Sequence, residues 1–165
     1  MLFRSRLDFP GGDVTSQCAP DTSPTWYFAD GFTAEGSKER IVVTNPYPDP
    51  AVVDLTFTTK DGPRRPANLL GLVIGPRTAR SFSMPDIGAA DEVRLAVSVS
   101  ATTGRVVVSR IQHYLGLGRL GYSTTVGVPR PLGQWWFTSG RTGAQVEELL
   151  IAHNPADTDA SVQVT

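Results

Sequence analysis

"AVVDLTFTTKDG", Ala51 to Gly62, is the stretch whose reading decides the fold class. Val53, Leu55 and Phe57 alternate with Asp54, Thr56 and Thr58. Successive side chains of a strand point to opposite faces, so a period of two predicts a strand with one buried face and one wet face. Asp61-Gly62 then turns the chain. The same pattern continues downstream. "LLGLVI" is short and apolar and stops at Gly75-Pro76, and "RTARSFSM" stops at Pro85. In "EVRLAVSVSA", Val93, Leu95, Val97 and Val99 are expected to point one way. Thr103-Gly104 makes a tight reversal into "RVVVSRIQHYL", and "YSTTVGV" reads as a last strand. "PDIGAADE" has room for one helical turn, and no window holds the i, i+3, i+4 pattern of a long amphipathic helix. The prediction is all-β: an antiparallel β-sandwich, Ig-like in the broad sense.

Upstream of the deciding stretch lies "WYFADG", Trp26 to Gly31, and it recurs as "WWFTSG", Trp135 to Gly140. Aligned at this offset of 109 without gaps, residues 26–56 and 135–165 agree at ten of 31 positions. Chance gives about two at ordinary residue frequencies. Trp26/Trp135, Phe28/Phe137, Gly31/Gly140, Glu39/Glu148, Asn45/Asn154 and Pro46/Pro155 are among the matches. A period of this length fits an array of sandwich domains rather than a solenoid. Read this way, the chain holds one full module at residues 26–132 and the start of a second, homologous module at residues 133–165. Residues 1–25 are a linker or the tail of a preceding module, and the chain is expected to be a fragment of a longer repeat protein. Too few strands lie in 135–165 to bury a sandwich core alone. The segment is expected either to add strands to the first module or to sit loosely beside it.

In a strand, Trp26 and Phe28 share a face with Tyr27 opposite, so the recurring pair is expected to be a core anchor. Gly31 and Gly140 close the phrase where a side chain is not tolerated. Asn45-Pro46 and Asn154-Pro155 end the next strand, because proline lacks a donor and holds its predecessor extended. The functional alternative for the aromatics is an exposed platform for sugar rings.

Composition narrows the function. The chain has 165 residues, 40% apolar and 19% charged, with 16 Gly and 13 Pro, which fits a packed domain rich in turns. With a net charge of −1 it has no excess of basic side chains for a phosphate backbone, so nucleic acid is not an expected partner. Cys18 is the single cysteine, which excludes an internal disulfide and a multi-thiolate zinc site. No apolar run approaches the roughly 20 residues of a bilayer span, and the start lacks the apolar region of a signal peptide.

The candidate chemistry is thin. "GLGRLG", Gly116 to Gly121, matches the dinucleotide-binding spacing and follows a strand. "YSTTVGVP" cannot supply the helix that would hold a pyrophosphate, so a glycine-rich hairpin loop is the better reading. His113 and His153 lack metal-ligand spacing. Glu39 and Glu148 are the best carboxylate candidates because they match across the repeat. A solvated strand end or a structural hydrogen bond explains them more simply than a catalytic pair. No catalytic, cofactor-binding or metal-binding residue is assigned, and no cofactor is expected.

Taken together, "CAPDTSPTWYFADG", "VTNPYPDPAVVDLTF", "GRVVVSRIQHY" and the second copy resemble an actinobacterial family of exported or membrane-anchored proteins classed as a domain of unknown function. The resemblance runs from Cys18 to Thr165. It implies modules that open with W-[YW]-F-x-x-G, followed by a strand closed by Asn-Pro, and a cell-envelope location for the parent protein. It brings no activity, ligand or catalytic residue. The expectation is a non-catalytic structural or interaction module that meets an unidentified protein or surface polymer. The alternative is a carbohydrate-binding sandwich.

Overall fold

A computed structural model describes residues 3–5, 14–116, 118–137, 140, 143–144 and 148–165. Parts of the expected leading segment and of the second copy, including Thr138, Ser139 and Thr142, lie outside the described residues.

Eleven strands form among the described residues, all their pairs antiparallel. A short ladder joins β1 (Phe3–Ser5) to β2 (Val14–Ser16). The body is two sheets. One has the order β11 (Gly121–Val126), β10 (Val107–Tyr114), β4 (Lys38–Asn45), β8 (Thr78–Ser83). The other runs β3 (Thr25–Phe28), β9 (Ala96–Thr103), β5 (Ala51–Thr59), β6 (Gly62–Arg64), and β7 (Leu72–Ile74) also pairs with β5. The predicted sandwich is present, and no α-helix occurs among the described residues. "PDIG" makes one short 3-10 turn at Pro85–Ile87.

The core follows from the alternation. In β5 the residues from Ala51 to Thr59 are buried at every second position, with Val53 and Leu55 fully enclosed. β4 alternates likewise, with Glu39, Ile41, Val43 and Asn45 inward. Trp26 and Phe28 enter from β3, as expected, and Trp26 pairs with Val99 in register. Val97, Val99 and Val108 complete the apolar layer between the sheets. The buried Trp26 indole donates to Val106 O at 2.9 Å, so its polar tip is satisfied inside the core.

Details differ from the sequence reading. Val93 does not join the inward row: it is 51% exposed, while Leu95, Val97 and Val99 are buried. The chain before Ala96 is not yet strand, so period-two counting fails there. Only Leu72–Ile74 of "LLGLVI" is strand, because a 3-10 turn occupies Ala67–Leu69. The reversal at Thr103-Gly104 is an arch, not a hairpin. β9 pairs with β3 and β5 in one sheet, while β10 pairs with β4 and β11 in the other. Alternation gives the face of a strand but not its neighbour, so both readings fitted the sequence. "GLGRLG" does join a hairpin: Tyr114 faces Gly121 across the β10–β11 ladder. Gly118 and Gly121 take positive φ there.

No strand forms among the described residues of 133–165. Trp135, Trp136 and Phe137 are 51%, 82% and 68% exposed. His153 reaches back to the first module, its Nε2 lying 3.5 Å from Ser98 Oγ on the outer face of β9.

Candidate functional site

The inward faces of β4 and β10 are apolar at one end and polar at the other. Continuing the buried parity of Ile41 and Val108 brings Glu39, Arg110 and Gln112 to the inside. Glu39 stands opposite Gln112 in register, and Arg110 stands opposite Ile41, one diagonal step from Glu39. The loop leaving β3, Asp30 to Thr33, closes over them.

Hydrogen bonds fix this loop on both sides. The Gln112 amide acts like a piece of strand: Phe32 N–H donates to its Oε1 at 3.2 Å, and its Nε2 donates to Phe32 O at 2.6 Å. On the far side the Thr33 hydroxyl donates to Ala89 O at 2.6 Å and accepts from Glu92 N–H at 2.9 Å. Thr33 N–H donates to Glu92 O at 2.8 Å.

Glu39 is the group left over. It is fully enclosed, and neither carboxylate oxygen has a hydrogen-bond partner. Asp30 Oδ1, Glu92 Oε2 and Arg110 Nε are also buried without a partner. Burial pushes the Glu39 carboxyl up from 4.5 to about 7. The Arg110 guanidinium opposes this, the Asp30 carboxylate adds to it, and the Phe32 backbone amide opposes it to a lesser degree. The reading of Glu39 as a solvated strand end is therefore corrected, since the side chain is fully enclosed. The cause is its parity: it follows Ile41 and Val43 into the interior.

The close packing explains Gly31. A Cβ there would lie 2.1 Å from Glu39 Oε2 and 2.8 Å from Leu95 O. No side chain fits, as expected from the phrase. In the second copy a Cβ on Gly140 would lie 2.9 Å from Glu148 Oε2. The same glycine and glutamate approach each other there, at an exposed site.

Asn45 is the other fixed point. Nearly fully buried, its Nδ2 donates to Asp49 O, Ile74 O and Gly75 O at 2.8, 3.2 and 3.1 Å. Its Oδ1 accepts from Tyr47 N–H at 3.0 Å. One side chain therefore shapes the β4–β5 turn and ties it to the end of β7. Pro46 sits exposed at the start of that turn. Asn154 repeats the local half of the pattern, donating to Thr158 O at 2.6 Å and accepting from Ala156 N–H at 3.1 Å. Asn154 and Pro155 are both exposed.

The recurring residues thus divide. Trp26, Phe28, Gly31 and Asn45 belong to the interior of one module, while Trp135, Phe137, Gly140 and Asn154 are exposed. Sequence reasoning missed Asp30, Glu92, Arg110 and Gln112. A usable signal existed for two of them, because Arg110 and Gln112 continue the parity of the buried Val106 and Val108.

An open cavity of about 750 Å³ lies elsewhere. Its lining includes Gln17, Cys18, Thr22, Arg105, Thr124 and Arg130. It lies beside the contact between the leading segment and β11. The Arg105 guanidinium donates to Thr22 O, and Ser23 bridges to Val106, so residues 22–24 are stitched to the sandwich. Cys18 is exposed. His113 stacks on Tyr122 with ring centres 3.9 Å apart, and desolvation with nearby Lys38 lowers its pKa. Among the described residues no three His, Cys, Asp or Glu side chains are arranged to hold a metal ion. No helix among them is long and apolar enough to cross a membrane.

Comparison with known proteins follows this architecture. A crystal structure of a Thermotoga maritima protein designated 1070 superposes with a TM-score of 0.54 at 19% identity, covering 66% of this chain and 95% of that one. The Anabaena sensory rhodopsin transducer aligns at a TM-score of 0.42 and 18% identity, over 56% of this chain and 91% of its own. At these identities the first likeness speaks for the sandwich fold alone. No curated protein matches the sequence. A family profile matches residues 11–115, from ahead of β2 to the end of β10 and including the Asp30–Glu39–Arg110–Gln112 cluster. The chain thus belongs to the family of unknown function DUF5719.

Proposed function

We propose that this chain is a non-catalytic structural or interaction module from an extracellular or cell-envelope repeat protein of actinobacterial type. Residues 133–165 are read as the opening of a second module. One observation carries the reading. The phrase that recurs 109 residues later consists, in its first copy, of core and turn-holding residues rather than ligand-facing ones. A structural phrase that recurs at domain length is what a tandem array of sandwiches requires. The envelope location rests on the family resemblance.

Carbohydrate binding is the second reading. The exposure of Trp135, Trp136 and Phe137 favours it, and the burial of Trp26 and Phe28 removes two of the three aromatics it relied on. Fractionation of the source cells, probed with antibody against residues 14–132, tests the main reading. Recovery in the envelope fraction is expected, and a purely cytosolic pool would overturn it. Retention on insoluble cell-wall polysaccharide that disappears with Trp136→Ala would favour the sugar reading instead.

A further inference from the structure

Residues 31–33 are buried yet belong to no strand: β3 ends at Phe28 and β4 begins at Lys38. Glu39 lies directly beneath them. The space that a Cβ on Gly31 would need is already filled by Glu39 Oε2, so this strap rests on the carboxylate itself. Irregular buried backbone must find its hydrogen bonds among side chains and loops. Here Gly31 O accepts from Leu95 N–H at 3.0 Å, the Gln112 amide grips Phe32, and Thr33 is held between Ala89 and Glu92.

The carboxylate under the strap is poorly provided for. Among the described residues neither oxygen has a hydrogen-bond partner, and the nearby Phe32 N–H donates to Gln112 Oε1. Charged groups surround it unevenly. Arg110 stands one diagonal step away on β10, and Asp30 sits at the partly exposed start of the strap. Glu92 is the buried carboxylate of the loop ahead of β9, and its backbone holds Thr33. On β4 itself Lys38 and Arg40 are exposed, and Arg119 covers the Phe32 ring at 5.1 Å. Arg110 favours the charged form of Glu39, while Asp30 opposes it. A buried carboxylate of this kind is costly when charged and far less so when protonated. Glu39 is fully enclosed, so water reaches it only when the strap lifts.

We propose that residues 30–33 are a proton-operated latch over Glu39. The strap stays shut while the carboxyl carries its proton, and it lifts more often once the carboxyl ionises and draws water in. Lifting breaks the bonds of Gly31, Phe32 and Thr33 and leaves the layer of Val97, Val99 and Val108 packed. The direction follows from the shut state holding the proton more tightly than the open one. Burial keeps the Glu39 carboxyl at about 7 when shut, and hydration returns it towards 4.5. Opening therefore increases with pH between these values and is level above the upper one. The device does not depend on the tandem-module reading.

Amide exchange of the full chain, corrected for the intrinsic effect of pH, tests the latch. Phe32, Thr33 and Leu95 report on the strap, and Val97 and Val99 serve as the core standard. The strap amides are expected to open by a local route, faster than the standard and with little dependence on urea. Their opening constant should rise by up to about tenfold per pH unit between 4.5 and about 7, then level off. Glu39→Gln should remove the rise. Asp30→Asn leaves Glu39 in place and should move the levelling point to lower pH, since the Asp30 charge holds the Glu39 proton on. An opening constant that does not change with pH would overturn the proposal, as would a slope retained in Glu39→Gln. Strap amides that match Val97 and Val99 in both rate and urea dependence would also sink it, because the strap would then move only when the whole module unfolds.

Discussion

In residues 26–56, Trp26 and Phe28 are buried, Asn45 holds three carbonyls, and Glu39 is sealed behind Gly31. One period later Trp135 and Phe137 are exposed, Asn154 holds one carbonyl, and Glu148 lies at the surface beside Gly140. The two segments separate what a short sequence encodes by itself from what it needs other strands to achieve. An asparagine four residues before its acceptor closes its turn in both copies. Strand and core appear only where β9 and β10 supply the ladder.

Matched substitutions in the two copies sharpen this contrast. Trp26→Ala should cost the most, about 3–5 kcal/mol of unfolding free energy, as expected for emptying a core aromatic site. Trp135→Ala should stay within about 0.5 kcal/mol. Urea denaturation followed by circular dichroism reads both, and a large loss at Trp135 would break the comparison.

Glu39→Gln should act in the opposite direction. The folded pKa of about 7 lies above the ordinary 4.5, so folding takes up a proton. The contribution of Glu39 to stability is greatest below pH 4.5, is lost as pH rises towards 7, and is flat above that. The span corresponds to a penalty on the order of 3 kcal/mol at neutral pH. The Gln variant should therefore exceed the parent in stability by on the order of 3 kcal/mol at pH 8 and match it near pH 4. Glu148→Gln, at an exposed position, should shift stability by less than about 0.5 kcal/mol. Parallel melting curves of parent and variant across pH 4 to 8 isolate the term, and superimposable pH profiles would refute it.

Asn45→Ala leaves buried carbonyls unpaired and should cost about 2–3 kcal/mol, against less than about 0.5 for Asn154→Ala. Gly31→Ala forces a methyl against the Leu95 carbonyl and should cost about 1–3 kcal/mol, whereas at Gly140 the neighbour is a flexible exposed carboxylate and the loss should be slight. Chemical denaturation of the four variants ranks them.

The sandwich and its core were legible because alternation is a local property. β5 and the inward Trp26–Phe28 pair follow from spacing alone. The crossing of the β9–β10 arch was not legible, because strand neighbours are set by long-range packing. The polar cluster was half legible. Glu39 stood out through its recurrence, and Arg110 and Gln112 lay on a parity that names them as inward. Asp30 and Glu92 were hidden, since the first reaches the cluster, and the second braces Thr33, from loops whose path no periodicity describes.

The arch also carries a kinetic consequence. β3 is synthesised early, yet its partner β9 lies some seventy residues downstream, with Trp26 facing Val99. Ladders between such distant segments close slowly, because loop entropy must be overcome before contacts reward it. On a ribosome adding about 5–20 residues per second, β3, β4 and β5 would wait several seconds with open edges until the arch emerges. A folding helper would find its most valuable substrate in that interval, and the arch would set when it is no longer needed.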